Sequence, residues 1–204
     1  MPRRLGRRPT AVLAGSLALA VAGLVPAAAS ADPCPDAKSS QVFAKWGDED
    51  YYSLAPGGDF ENALTWTTSG RVKQSDENNP FDLSGPGRSS VYLGAGGSVT
   101  SPPICVDTTR PFLRYVTQSA WTRGATSLQV DALFTVGGNQ TAVTLGSISS
   151  KGYDDWGPSP QVPLATKLPV EAGASLDVNL RFSVGGDSGG FKVDDVFIDP
   201  RASR

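Results

Sequence analysis

Carboxylates, amides and aromatic rings are the groups available for chemistry in this 204-residue chain, because it contains no histidine. That absence removes Ser-His-Asp and Cys-His catalysis and most zinc hydrolase sites. Two carboxylates facing each other across a cleft, as glycosidic-bond cleavage requires, remain formally available. Asp131, Asp154 and Asp177 lie on or beside strand faces read as wet, where acids ordinarily serve only solubility, so no catalytic residue is assigned. A second set is Gln129, Asp131, Asn179 and Arg181, planar polar groups suited to hydroxyls, with Tyr153 and Trp156 in the loop 151–158. Such rings either stack on the apolar side of a pyranose or pack as rim. The third set stands at the two ends of the chain: Gly58-Asp59-Phe60-Glu61 with Trp66, and Phe191-Lys192-Val193-Asp194-Asp195-Val196-Phe197-Ile198-Asp199. Phe191, Val193 and Phe197 are read as alternating inward with Asp195, so one carboxylate faces the core. It then needs a cation or hydrogen-bond donors; backbone N–H groups and arginines such as Arg71 or Arg114 are the alternatives to a metal.

The elements that must hold these groups are strands. Residues 127–136 place Leu128, Val130, Ala132, Phe134 and Val136 on one side and Gln129, Asp131, Leu133 and Thr135 on the other. Residues 175–184 repeat the pattern, with Leu176, Val178, Leu180, Phe182 and Val184 opposite Asp177, Asn179, Arg181 and Ser183. Period two with one wet face is the mark of a half-buried antiparallel strand. The glycine-rich turn 185–190 leads on to residues 191–198 and predicts a hairpin. Further strands are expected at 41–46, 71–74, 88–93, 98–101, 112–118 and 140–148. No window after residue 31 shows helical periodicity. The fold class is therefore all-β, an antiparallel β-sandwich, most simply a jelly roll, in a single domain.

Residues 1–31 carry Arg3, Arg4, Arg7 and Arg8, an apolar run from Ala11 to Pro26, and Ala29-Ser30-Ala31 before Asp32. This is the layout of a signal peptide, and the apolar run falls short of the roughly 20 residues a spanning helix needs. A secreted domain of residues 32–204 is expected, extracellular or associated with the cell envelope, without membrane insertion. Four of the 18 basic residues and none of the 20 acidic ones lie in the leader, which leaves 14 against 20, a balance of −6. Such a balance argues against nucleic acid as a partner. The two cysteines, Cys34 and Cys105, are expected to pair in an oxidising compartment, closing a loop of about 70 residues.

The run 58–61, Trp66, the serine-rich segment 88–93 and Val193-Asp194-Asp195-Val196 together resemble the β-jelly-roll carbohydrate-binding modules of families 4, 9 and 22, within the galactose-binding-like fold. The chain also resembles a group of secreted bacterial proteins with the same ends and the Ser-Pro-Pro-Ile-Cys run at 101–105. The resemblance implies neighbouring first and last strands, and one structural Ca²⁺ held by Glu61 with Asp194 or Asp195 among backbone carbonyls. It also implies a non-catalytic module that binds extracellular or cell-wall glycan, by stacking on Tyr153 or Trp156 and hydrogen bonds from Gln129, Asp131, Asn179 and Arg181. An extracellular structural or adhesion protein contacting another protein is the alternative, and a carboxylate-based glycoside hydrolase the third.

Overall fold

The computed structural model describes residues 34–120 and 126–199; the leader expected over residues 1–31 lies outside them. Two antiparallel sheets face each other. The seven-stranded sheet runs β10 (Gly157–Pro158), β7 (Phe112–Ala120), β13 (Gly190–Ile198), β4 (Ser90–Gly94) and β3 (Val72–Ser75), with β1 (Ser53–Leu54) on β13 and β11 (Val162–Pro163) on β7. Its partner runs β2 (Thr67–Ser69), β5 (Ser98–Thr100), β12 (Ser175–Gly185), β8 (Ser127–Val136) and β9 (Asn139–Ser149), with β6 (Ile104–Asp107) on β12. Helical structure among the described residues is confined to two three-residue 3₁₀ turns, Ala44–Trp46 and Ala165–Lys167. The all-β sandwich is as the alternation requires.

Period two fixes which side chains fill the space between the sheets. Leu128, Val130, Ala132 and Phe134 of β8, Val178, Leu180, Phe182 and Val184 of β12, and Val91 and Leu93 of β4 are buried there together. Each fully enclosed large side chain, such as Phe182, contributes about 2 kcal/mol of apolar burial. The outward residues of β8 and β12 stand in register on the face away from the core: Asp131 is the Cα partner of Arg181, and Gln129 of Ser183.

The turn 185–190 does not close a hairpin: β12 pairs with β5, β6 and β8, and β13 with β1, β4 and β7, so the turn crosses from one sheet to the other. Val136, read as facing inward, is exposed at the end of β8. Two further expectations fail together. Residues 41–46 form a turn that ends in the 3₁₀ segment Ala44–Trp46 instead of a strand, and Phe197 does not point between the sheets. A bulge in β13 between Asp194 and Phe197 breaks the alternation, with Asp195 at φ 48°. Val196 and Ile198 then enter the main core, while Phe197 emerges on the outer face of the seven-stranded sheet. There it meets Phe43, Tyr52 and Val116 in a second apolar cluster. Phe43 stacks edge-on against both Tyr52 and Phe197, with centroids at 5.0 and 5.7 Å. The apolar residues read as an N-terminal strand thus form a lid over a face that the bulge makes hydrophobic.

Cys34 and Cys105 are bonded, with Cα atoms 5.6 Å apart. Asp107 anchors the same corner: it accepts the Cys34 N–H at 3.1 Å and pairs with Arg110 at 2.7 Å, while Arg110 also donates to the Pro35 carbonyl at 2.9 Å.

Candidate functional site

The polar residues of β8 and β12 converge on one buried carboxylate. Asp131 is 2% exposed, and each of its oxygens is occupied: Oδ2 accepts from Arg181 Nη2 at 2.8 Å, and Oδ1 accepts from Gln129 Nε2 and Thr144 Oγ1, both at 2.8 Å. Burial alone would raise this acid, but Arg181, Thr144 and Gln129 hold it below its ordinary value. Arg181 Nε also donates to Oδ2 at 3.3 Å, so a buried, ionised Asp131 has four donors on its two oxygens, orients its neighbours and has no lone pair left over for a ligand. Arg181 is the group it presents, with 38% of the side chain exposed. Gln129, Arg181 and Ser183 line a hollow of about 240 Å³ against the Gly96-Gly97 turn. Asn179, two residues along the same face, donates to the Ser101 carbonyl at 2.8 Å and lines a neighbouring hollow of about 310 Å³ with Leu133 and Asp177.

Tyr153 and Trp156 are not brought to this face. Once β9 ends, the chain crosses to the other sheet, where β10 pairs with β7, and the loop aromatics travel with it. Trp156 packs on the outer cluster of Phe43, Tyr52, Val116 and Phe197. The half-buried Tyr153 sits beside β7, its carbonyl accepting from the Ser119 N–H at 2.7 Å. Trp46 packs on the same outer cluster, and Trp66 is buried in the main core with its Nε1 donating to the Pro56 carbonyl.

The terminal acids take different hydrogen-bond partners. Glu61 accepts the backbone N–H groups of Arg88 and Ser89 at 2.8 Å each, the non-metal alternative stated above for such a carboxylate. Asp194 and Asp195 stay together, both 1% exposed, and are bridged by Asn79, whose Nδ2 lies 2.9 Å from Asp194 Oδ2 and 2.8 Å from Asp195 Oδ2. Burial and the adjacent Asp195 push Asp194 up to about 8. Burial also raises Asp195, against the pull of Ser84, Asn79 and the Leu83 N–H. Asp195 Oδ1 is buried without a hydrogen-bond partner among the described residues. Among the described residues no group of three or more His, Cys, Asp or Glu is arranged to hold a metal ion. Arg114, offered as an acid partner, pairs instead with Asp48 at 2.5 Å.

Thr144 and Asn79 were not singled out from the sequence. Alternation in β9 is the signal that could have pointed to Thr144. Nothing local marks Asn79, since its partners lie 115 and 116 residues away.

No protein-family model matches the sequence, and no curated protein matches it. Solved structures do. The CBM22-1 and GH10 modules of endo-1,4-β-D-xylanase 10B from Clostridium thermocellum, complexed with xylohexaose, match over 76% of this chain and 29% of that one, at 11% identity and a TM-score of 0.53. The CBM22-1 xylan-binding domain of Xyn10C from Paenibacillus barcinonensis matches at 14% identity, covering 72% of this chain and 94% of that one, TM-score 0.49. A family 11 carbohydrate-binding module from Clostridium thermocellum, in complex with a β-1,3-1,4-mixed-linked tetrasaccharide, matches at 13% identity over 72% of this chain and 95% of that one, TM-score 0.46. At these identities the likeness is one of fold, the β-sandwich of carbohydrate-binding modules.

Proposed function

We propose that this chain is a secreted, non-catalytic glycan-binding module whose ligand lies across the outer faces of β8 and β12. The observation that carries the reading is the Asp131 network. A buried carboxylate fixes an exposed guanidinium and an amide beside a shallow hollow, so that directional donors face solvent with little freedom left to lose on binding. Fold likeness to carbohydrate-binding modules raises the weight of the reading by analogy. Arg181 and Gln129 meet sugar hydroxyls, Asn179 extends the strip, Asp131 positions the donors, and no bond is made or broken. In the described residues the exposed large apolar side chains are Tyr51 and Leu54, three residues apart, and Val136 at the end of β8, too few to make an extended apolar face.

The test is a polysaccharide array with the chain from residue 32, comparing wild type with Arg181→Ala and Asn179→Ala. Arg181→Ala is expected to weaken the strongest neutral-glycan signal about tenfold, the scale of a lost charge-assisted hydrogen bond. An array without signal, or one unchanged by both substitutions, would overturn the assignment.

A structural Ca²⁺ is a secondary part of the proposal and is restricted to the Asp194–Asp195 pair, where the unpartnered Asp195 Oδ1 supports it and Glu61 takes no part. Chelator-washed protein is expected to gain several degrees of melting temperature on addition of CaCl₂ at pH 8. No shift, together with no calcium by elemental analysis of the untreated protein, would remove the ion.

A further inference from the structure

The outer face of the seven-stranded sheet carries a different arrangement. Gln118, Lys192, Tyr92 and Lys73 are successive Cα partners across β7, β13, β4 and β3, and their neighbours Val91, Leu93, Phe191 and Val193 fill the core. These four side chains therefore form one transverse row pointing away from the core. The next pair along the face of β4 and β13 is Gly94 opposite Gly190, and the Tyr92 ring uses the space they leave. A Cβ on Gly190 would lie 2.9 and 3.0 Å from Tyr92 Cε2 and Cζ, and one on Gly94 would run into the Arg71 side chain and lie 3.2 Å from Tyr92 Oη. The phenol thus lies down along the sheet instead of standing off it. Tyr92, Gln118 and the two lysines border a cavity of about 530 Å³, larger than either hollow on the β8–β12 face.

Charge gives this row its selectivity. Lys73 is exposed and makes no ion pair among the described residues; its Nζ lies 5.8 Å from the centre of the Tyr92 ring. On the other side of the ring, Lys192 pairs with Glu77, whose side chain is 66% exposed and free to swing aside. A recumbent aromatic ring takes the apolar face of a pyranose, and an amide takes hydroxyls. Lys73, unpaired among the described residues, and Lys192, once Glu77 swings aside, set two ammonium groups about the ring, a local positive field that favours a ligand bringing a carboxylate.

We propose that Tyr92 is the floor of a second glycan site, on the sheet opposite Arg181, which takes hexuronic-acid residues: the ring stacks under the sugar, Lys73 and Lys192 hold its carboxylate, and Gln118 meets a hydroxyl. This site stands independently of the β8–β12 face. The test is calorimetric titration of the chain from residue 32 with hexasaccharides of galacturonic acid, alginate and hyaluronan, and with xylohexaose, for wild type, Tyr92→Ala, Lys73→Gln and Arg181→Ala. At least one uronate hexamer is expected to bind one-to-one, with affinity falling about tenfold in Tyr92→Ala and several-fold in Lys73→Gln and in high salt. Arg181→Ala should leave that affinity unchanged. Lys73 is exposed, so Lys73→Gln reports on the site even if Tyr92→Ala fails to fold. Binding of none of the uronates, or uronate binding lost in Arg181→Ala and retained in Lys73→Gln, overturns the second site. Failure of the β8–β12 proposal reads separately, as absence of a neutral-glycan signal sensitive to Arg181.

Discussion

Replacing Cys34 and Cys105 together by alanine is expected to destabilise the domain by about 4 kcal/mol, the loop-closure entropy of a 71-residue separation. The loss should exceed that of an ordinary surface substitution severalfold, because the bond ties the segment before the first strand to β6 at the edge of the six-stranded sheet. The contacts that remain there are modest: the Cys34 N–H on Asp107 and the Arg110 guanidinium on the Pro35 carbonyl. Urea denaturation of the oxidised wild type against the double variant measures the difference. A loss under 1 kcal/mol would show that the reduced chain keeps this corner closed without the covalent link.

Asn79→Ala is the second large effect, expected at about 3 kcal/mol. One amide nitrogen serves two buried carboxyl groups, so truncation strips a donor from each and puts nothing in its place. Leaving buried polar groups unpartnered costs far more than an average hydrogen bond contributes. The backbone N–H of Asn79, 3.3 Å from Asp194 Oδ2, survives the substitution and keeps the loss from being larger. Chemical denaturation in the presence of chelator is the measurement, and a change below 1 kcal/mol would mean that water replaces the amide. Asn79→Asp should be worse than Asn79→Ala, since it adds a third acid to the pair.

The sandwich was legible because its central strands alternate without interruption. Residues 127–136 and 175–184, read from period two, became Ser127–Val136 and Ser175–Gly185. β6 was not legible: it has four residues, follows Pro102-Pro103, and its partner β12 lies about 70 residues later. The segment 41–46 has the apolar content of a strand but serves as a cover, a role set by a bulge some 150 residues later. Gln129, Asp131 and Arg181 were read correctly as one outward face, whereas the division of labour among them, with Asp131 sunk and Arg181 presented, depends on Thr144 reaching in from β9. Tyr153 and Trp156 could be seen as loop aromatics, but the crossing that carries them to the other sheet is a matter of topology. Tyr92 alternates visibly outward between Val91 and Leu93, yet its value lies in what stands beside it. That is fixed by the Gly94–Gly190 pairing, which local sequence does not show.

The lid over the outer cluster is joined to the sandwich at few places. Arg114 is its rivet: the guanidinium sits 4.4 Å from the centre of the Phe43 ring, grips Asp48, and donates through Nε and Nη2 to the Ser159 carbonyl at 3.0 and 2.7 Å. Gln161 is a second fastening, its Nε2 within 3.1 to 3.2 Å of Asp48 Oδ2, Asp50 Oδ2 and the Tyr52 hydroxyl, so the polar hold on residues 40–52 rests on two side chains, Arg114 of β7 and Gln161 of the 156–161 segment. Loosening of these two fastenings would uncover Val116 and Phe197 without parting the sheets, which makes the lid the expected point of entry for proteolysis and for sub-global hydrogen exchange.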